Sequence, residues 1–216
     1  MIILIINCYV RSDSEHGMKE DRFMVSIPAT FEGLDAMRQL KGKVRCNATC
    51  VFSLEQAVLA AKAGACAVSV GVGDISDYWR WKTGYESPAW DDRGVQLCSR
   101  IQMTLRCLNH TNTLTVAMNC RTVSQVLELV GVDCVALAPW MLCDLSSRSS
   151  SDVYCHLNLE PSRSERKAAG QHDHRSPWPT AAQELLEQAQ SRNTDCLHKL
   201  SRAIKQDLTP FLAPEQ

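Results

Sequence analysis

An excess of charge of either sign is missing from this chain: 23 Lys and Arg stand against 24 Asp and Glu, a formal net charge of −1. The basic residues are scattered rather than run together, so neither nucleic acid nor an anionic membrane is an expected partner. Long apolar runs are missing too. Residues 1–6 are apolar, but a bilayer span needs about 20 residues. Without a basic flank or a small-residue cleavage site they do not read as a signal peptide either; a buried strand is expected. No C-x-x-C pair occurs among the 11 cysteines. With the odd count, this argues against a disulfide framework. Cys46, Cys50, Cys66 and Cys134 fall in apolar, strand-like runs and are expected to be buried free thiols of a cytoplasmic protein. His172 and His174 form an H-x-H pair with no second Cys/His pair nearby, so a solvated loop is expected there, not a metal site. No internal repeat of fixed period is present, and no cofactor is expected.

What is present suits a globular core. Hydrophobic residues make up 45% and charged residues 22% of 216 residues, enough for one sizeable domain. The middle of the chain alternates strand-like and helix-like segments. Strands are predicted at residues 23–27, 45–52, 66–72, 114–119 and 134–138. Helices are predicted at 30–40, 53–63, 95–109 and 122–130. Thr30 and Ser53 have the character of N-caps, Ser53 with Gln56 as a capping box. Gly64 and Gly131 read as helix ends. Residues 79–92 are polar, aromatic and irregular, and read as a long loop. Short apolar strands at this spacing predict a parallel sheet buried on both faces. The class is α/β, either an open doubly wound sheet or a (β/α)8 barrel; periodicity does not choose between them. Residues 146–151 and 161–179 are polar, a surface loop or disordered segment. Residues 181–190 and 195–211 return to helix, with Leu197, Leu200, Ile204 and Leu208 on one face. The expected division is 1–145, 146–180 and 181–216.

Seven consecutive motifs resemble the transaldolase family in its own order. They are D-R-F-M-V-S-I-P-A-T-F-E-G-L (21–34), C-N-A-T-C-V-F-S (46–53), Q-A-V-L-A-A-K-A-G (56–64), S-V-G-V-G-D-I-S-D-Y (69–78), D-D-R-G-V (91–95), A-M-N-C-R (117–121) and the run at 127–142. No single motif is specific; the order and spacing carry the signal. The resemblance covers residues 22–140, and more weakly the last helix. It implies part of a TIM (β/α)8 barrel, with about five or six parallel strands, flanking helices and a C-terminal helix. The first motif strand would be the fourth of the family barrel. Only about 20 residues precede it where three βα units would stand. Five or six strands cannot close the usual eight-stranded barrel. An open sheet edge is therefore expected, able to pair with another chain as homo- or hetero-oligomer.

The resemblance also implies a chemistry that this chain departs from. Family members use a lysine amine to form a Schiff base with a ketose carbonyl. Ser26 stands at that lysine's position, and a hydroxyl cannot form an imine. Eight lysines are present. Of these only Lys82, placed in the predicted loop after the third strand, lies on the face where such barrels hold their sites. The family's catalytic carboxylates belong to the absent early strands; Glu32 and Asp35 sit on a helix and read as solvated. Arg121 matches one of the family's two phosphate-clamping arginines, and Asp74 stands in place of the other. Asn119 and Cys120 replace the Ser-Phe pair before Arg121. Asn47, Ser69 and Arg121 are the candidate substrate-binding residues. The expected function is a transaldolase-like protein of sugar-phosphate metabolism of the pentose-phosphate type, without Schiff-base activity. Its ligand would be a small phosphorylated or carbonyl compound. Two alternatives stand beside it: a diverged enzyme acting on another carbonyl substrate, and a non-catalytic partner of a full-length transaldolase.

Overall fold

The computed structural model describes residues 24–149 and 178–212, excepting the side chains of Leu197 and of residues 200–212. The expected strand at 1–6, the H-x-H pair, most of the 146–179 segment and the apolar face of the last helix lie outside these residues.

Five parallel strands form one sheet: β1 (Val25–Pro28), β2 (Cys46–Val51), β3 (Ala67–Gly71), β4 (Leu114–Met118) and β5 (Cys134–Val135). Their spatial order equals their order in the chain. This order decides between the two architectures. Crossovers between parallel strands are almost always right-handed. When every connection steps to the next strand in the same direction, all the crossover helices fall on one face, as in a barrel wall. A doubly wound sheet would reverse its direction part-way. The fold is a partial barrel wall of five strands.

The helices form where local sequence starts and stops them. Thr30 caps α1 (Phe31–Leu40) by accepting from the Gly33 N–H. Ser53 caps α2 (Leu54–Ala63), which ends at Gly64 in the left-handed conformation, φ 96°. Gln56 does not close the expected box onto Ser53. Its Oε1 accepts from the Phe52 N–H at 2.8 Å, and its Nε2 donates to the Ala29 carbonyl at 3.0 Å, tying β1 to the start of α2. Asp92 caps α4 (Arg93–Cys107), and Thr122 forms a full capping box with Gln125 at α5 (Val123–Glu128). Pro139 sits in the first turn of α6 (Pro139–Ser147).

Two helical boundaries differ from expectation. The predicted loop at 79–92 begins as helix: α3 (Val72–Thr83) runs straight out of β3 and ends at Gly84, φ 68°. A short 3-10 turn, Ala89–Asp91, follows. The aromatic residues that suggested irregularity have helical roles: Tyr78 is buried on one face, and the Trp79 ring carries the Arg93 guanidinium at 3.8 Å. The two predicted C-terminal helices are one, α7 (Thr180–Leu212). None of the described helices is long and apolar enough to cross a membrane.

The core lies between the sheet and its helices. Ile27, Ala48, Val68, Val70 and Ala117 present one face of the sheet to Leu34, Met37 and Leu40 of α1, Val58 of α2, and Val95, Cys98 and Ile101 of α4. These side chains are all at most 1% exposed. The expectation of strands buried on both faces fails outside β3. Burial alternates along β1, β2 and β4, because with all crossovers on one side no described crossover helix covers the other face. Cys134 is accordingly exposed, and Cys50 and Cys66 are half-buried; only Cys46 of the four is buried. All described cysteines are free.

Candidate functional site

The site residues emerge from the uncovered face and the strand ends above it. Ser26, on β1, is in register with Asn47 on β2. The Asn47 Nδ2 donates to the Ser26 Oγ at 3.4 Å, and the Ser69 Oγ of β3 donates to the Asn47 Oδ1 at 3.0 Å. Alternation along a strand puts residues of matching register on the same face. Ser69, two residues beyond Ala67, the register partner of Asn47, shares that face, so Ser26, Asn47 and Ser69 make one hydrogen-bonded polar row across three strands. Ser26 is exposed and Ser69 is buried.

Beyond this row, at the carboxyl ends of β2, β3 and β4, a cavity of about 330 Å³ opens beneath α7. In β/α barrels this is the end at which active sites are built. Thr49 and Cys50 both line it although they are consecutive. A regular strand would send them to opposite faces. The register slips between Ala48 and Val51, and Cys50 adopts φ 55°, so a bulge turns both toward the opening. Asn119, at the end of β4, has φ 59° and lines the same cavity. Two of the three described non-glycine residues with left-handed backbone therefore border one opening, the distribution expected of strain held at a site.

Arg121 follows Asn119 but does not face the same space. It lines a neighbouring cavity of about 260 Å³ with Trp79, Arg80 and Arg93. Its guanidinium is held by Asp77 at 2.8 Å, by the Asn119 carbonyl at 3.1 Å and, at longer range, by Asp74 at 3.5 Å. Gly73 makes this approach possible: a Cβ there would sit 1.9 Å from the Asn119 carbonyl oxygen. Below lies a buried polar network. The Asp92 carboxylate accepts from the Gly94 and Val95 N–H groups, from the Ser76 hydroxyl and from the Gln125 amide. Gln125 in turn accepts from the Arg121 N–H at 2.7 Å. This network locks α3, α4 and α5 together and fixes the path of the Arg121 loop.

Asp74 stands at the first turn of α3 and lines the strand-end cavity. Its Oδ2 accepts from the Asn119 Nδ2 at 2.9 Å, and its Oδ1 faces Arg192 of α7 at 3.4 Å. Arg192 fell in the gap between the two predicted C-terminal helices, and no sequence signal marked it. Only the docking of α7 over the strand ends brings it to Asp74, 118 positions away.

No described lysine lines this cavity. Lys82 is not in a loop over the strand ends but in the last turn of α3. Its Nζ donates to Glu184 of α7 at 3.1 Å and stands over the Tyr78 and Trp81 rings. Hydrogen bonding to Glu184 and then to Tyr78 raises its pKa, the opposite of the depression that frees a Schiff-base amine. Cys50, the thiol in the cavity, has its pKa raised by burial and further by the Asp74 charge, with Thr49 and Arg192 opposing, so it stays protonated at neutral pH. Glu32 and Asp35 are exposed on α1, Asp35 paired with Arg38. No cluster of three or more potential metal ligands occurs among the described residues.

The transaldolase/fructose-6-phosphate aldolase family model matches residues 9–206. This chain belongs to that family. Among similar proteins, a transaldolase of Acidobacterium capsulatum is 31% identical over 137 residues, 63% of this chain and 41% of that one. A transaldolase of Vibrio vulnificus is 30% identical over 164 residues, 76% of this chain and 51% of the relative. One of Shewanella baltica is 32% identical over 139 residues, covering 64% and 43%. The chain thus spans about half the length of the curated relatives it matches. A solved mandelate oxidase shares 17% identity with a TM-score of 0.34, over 55% of this chain and 33% of its own.

Proposed function

We propose that this member of the transaldolase family keeps a ligand cavity at its strand ends and has no Schiff-base transaldolase activity. The observation that carries the reading is the group at the lysine's position. Ser26 offers a hydroxyl, bonded to Asn47, where the family resemblance calls for an amine. An imine needs a nitrogen nucleophile, so its loss removes the mechanism rather than slowing it. The described lysines lie elsewhere, and the cavity thiol is held protonated. The reading places the protein in the cytoplasm, in keeping with its free cysteines.

Borohydride trapping tests this. The full chain is incubated with fructose 6-phosphate, reduced and weighed by mass spectrometry. No covalent adduct is expected. A stoichiometric adduct in the folded protein would sink the reading, and peptide mapping would identify the amine responsible.

A second reading has a specific observation in its favour. Among the described residues β1 and β5 are the two edges of the sheet, each paired on one side only. Such edges can take a strand from a second chain, either another copy or a full-length transaldolase. Light scattering with co-purification separates these outcomes; a clean monomer that captures no transaldolase counts against both.

A further inference from the structure

Asp74 and Arg192 are the two ionised side chains lining the strand-end cavity, and they face each other at 3.4 Å. The remaining polar lining is neutral: the hydroxyls of Thr49 and Ser69 and the amides of Asn119 and Asn193. We propose that this cavity binds an uncharged polyhydroxylated ligand of monosaccharide size and discriminates against the phosphate monoester of the same sugar. The inference rests on the reading above, that the site binds without forming an imine, and adds the class of compound it takes.

Three observations on charge lead to it. The first is the start of α3, which begins directly at the end of β3. The amino end of a helix favours negative charge. Here that position is already occupied by a built-in anion, since Asp74 lies in the first turn with its side chain only 11% exposed. The second is that Arg192, the cation lining the cavity, is engaged by that carboxylate. A phosphate that recruited Arg192 would draw it from Asp74 and place a dianion beside a poorly hydrated carboxylate; like-charge juxtaposition of this kind costs several kcal/mol. The third is Arg121, which is turned into the neighbouring cavity and held by Asp77.

A neutral polyol meets none of these penalties. Its hydroxyls can donate to the Asp74 Oδ1, whose two arginine contacts are long at 3.4 and 3.5 Å, and can accept from Arg192 without separating the pair. Thr49, Ser69, Asn119 and Asn193 add groups that both donate and accept, as hydroxyl recognition requires. Phe52 and Met118 give an apolar wall for the carbon face of a ring. At about 330 Å³ the space lies at the small end of the roughly 300–1,000 Å³ usual for ligand pockets.

Calorimetry and thermal melting of the full chain test this, with D-fructose and D-ribose against fructose 6-phosphate, ribose 5-phosphate and inorganic phosphate. At least one free sugar is expected to bind and raise the melting temperature. Its phosphate ester should bind about tenfold more weakly. Asp74→Asn should erase that difference, and Asp74→Arg should reverse it. Circular dichroism checks both variants; if the arginine variant does not fold, the isosteric Asp74→Asn decides. The proposal is overturned if the esters bind the unchanged protein as tightly as the sugars, or if neither sugar binds. Ester binding as tight as that of the sugars, without a borohydride adduct, overturns this inference alone, whereas equally tight binding with an adduct also removes the reading beneath it.

Discussion

The two faces of the sheet are built from the same five strands and differ in almost everything else. On the covered face Ile27, Ala48, Val68, Val70 and Ala117 are sealed under helices, with at most 1% of each exposed. On the other face Ser26 and Cys134 are exposed, Leu114 is 41% exposed, and Asn47 carries a polar row between Ser26 and Ser69. The difference follows from winding. Consecutive right-handed crossovers lay every crossover helix on one side, and the other side of such a wall is a barrel's interior only if the wall closes. With five described strands it does not close, so one face holds the fold together while the other stays open, with the strand ends above it.

This contrast can be broken or sharpened by substitution. The largest effect is expected in the helix layer over the covered face. Ile101 is fully buried, and Ile101→Ala should cost about 2–5 kcal/mol of unfolding free energy in urea titration. Next comes the polar lock in that layer. Asp92→Ala removes a helix cap and the carboxylate that the Ser76 hydroxyl and the buried Gln125 amide bond, a loss of about 2 kcal/mol by the same measurement. The smallest effect belongs to the open face: Ser26→Ala deletes one 3.4 Å bond at an exposed position and should shift stability by less than about 0.5 kcal/mol. A loss at Ser26 comparable with that at Asp92 would mean that the open face is covered in solution, and the contrast between the faces would fall.

Much of the fold was legible because its signals are local. Thr30 and Ser53 marked helix starts, Gly64 marked a helix end, and apolar runs marked the strands. The start of α3 was missed because β3 passes into helix with no intervening turn residue. The aromatic-rich stretch 79–83 then hid its last turn, although Gly84 was a usable stop signal. The geometry of the candidate site was legible only in part. Asn47 and Ser69, candidates from the sequence, stand in one hydrogen-bonded row. Arg121 was a candidate too, but its direction depends on Asp77, a residue that nothing in the sequence singled out. Arg192 was missed for the same kind of reason.

Sequence by itself determined the α/β alternation and the family, since periodicity, caps and the order of motifs need no partner. Tertiary structure alone decided which face of the sheet stays open, how a bulge at Cys50 turns two neighbouring residues toward one opening, and that Asp74 meets Arg192. Those outcomes depend on winding direction and on pairs up to 118 positions apart, and such pairs exist only once the chain has closed on itself.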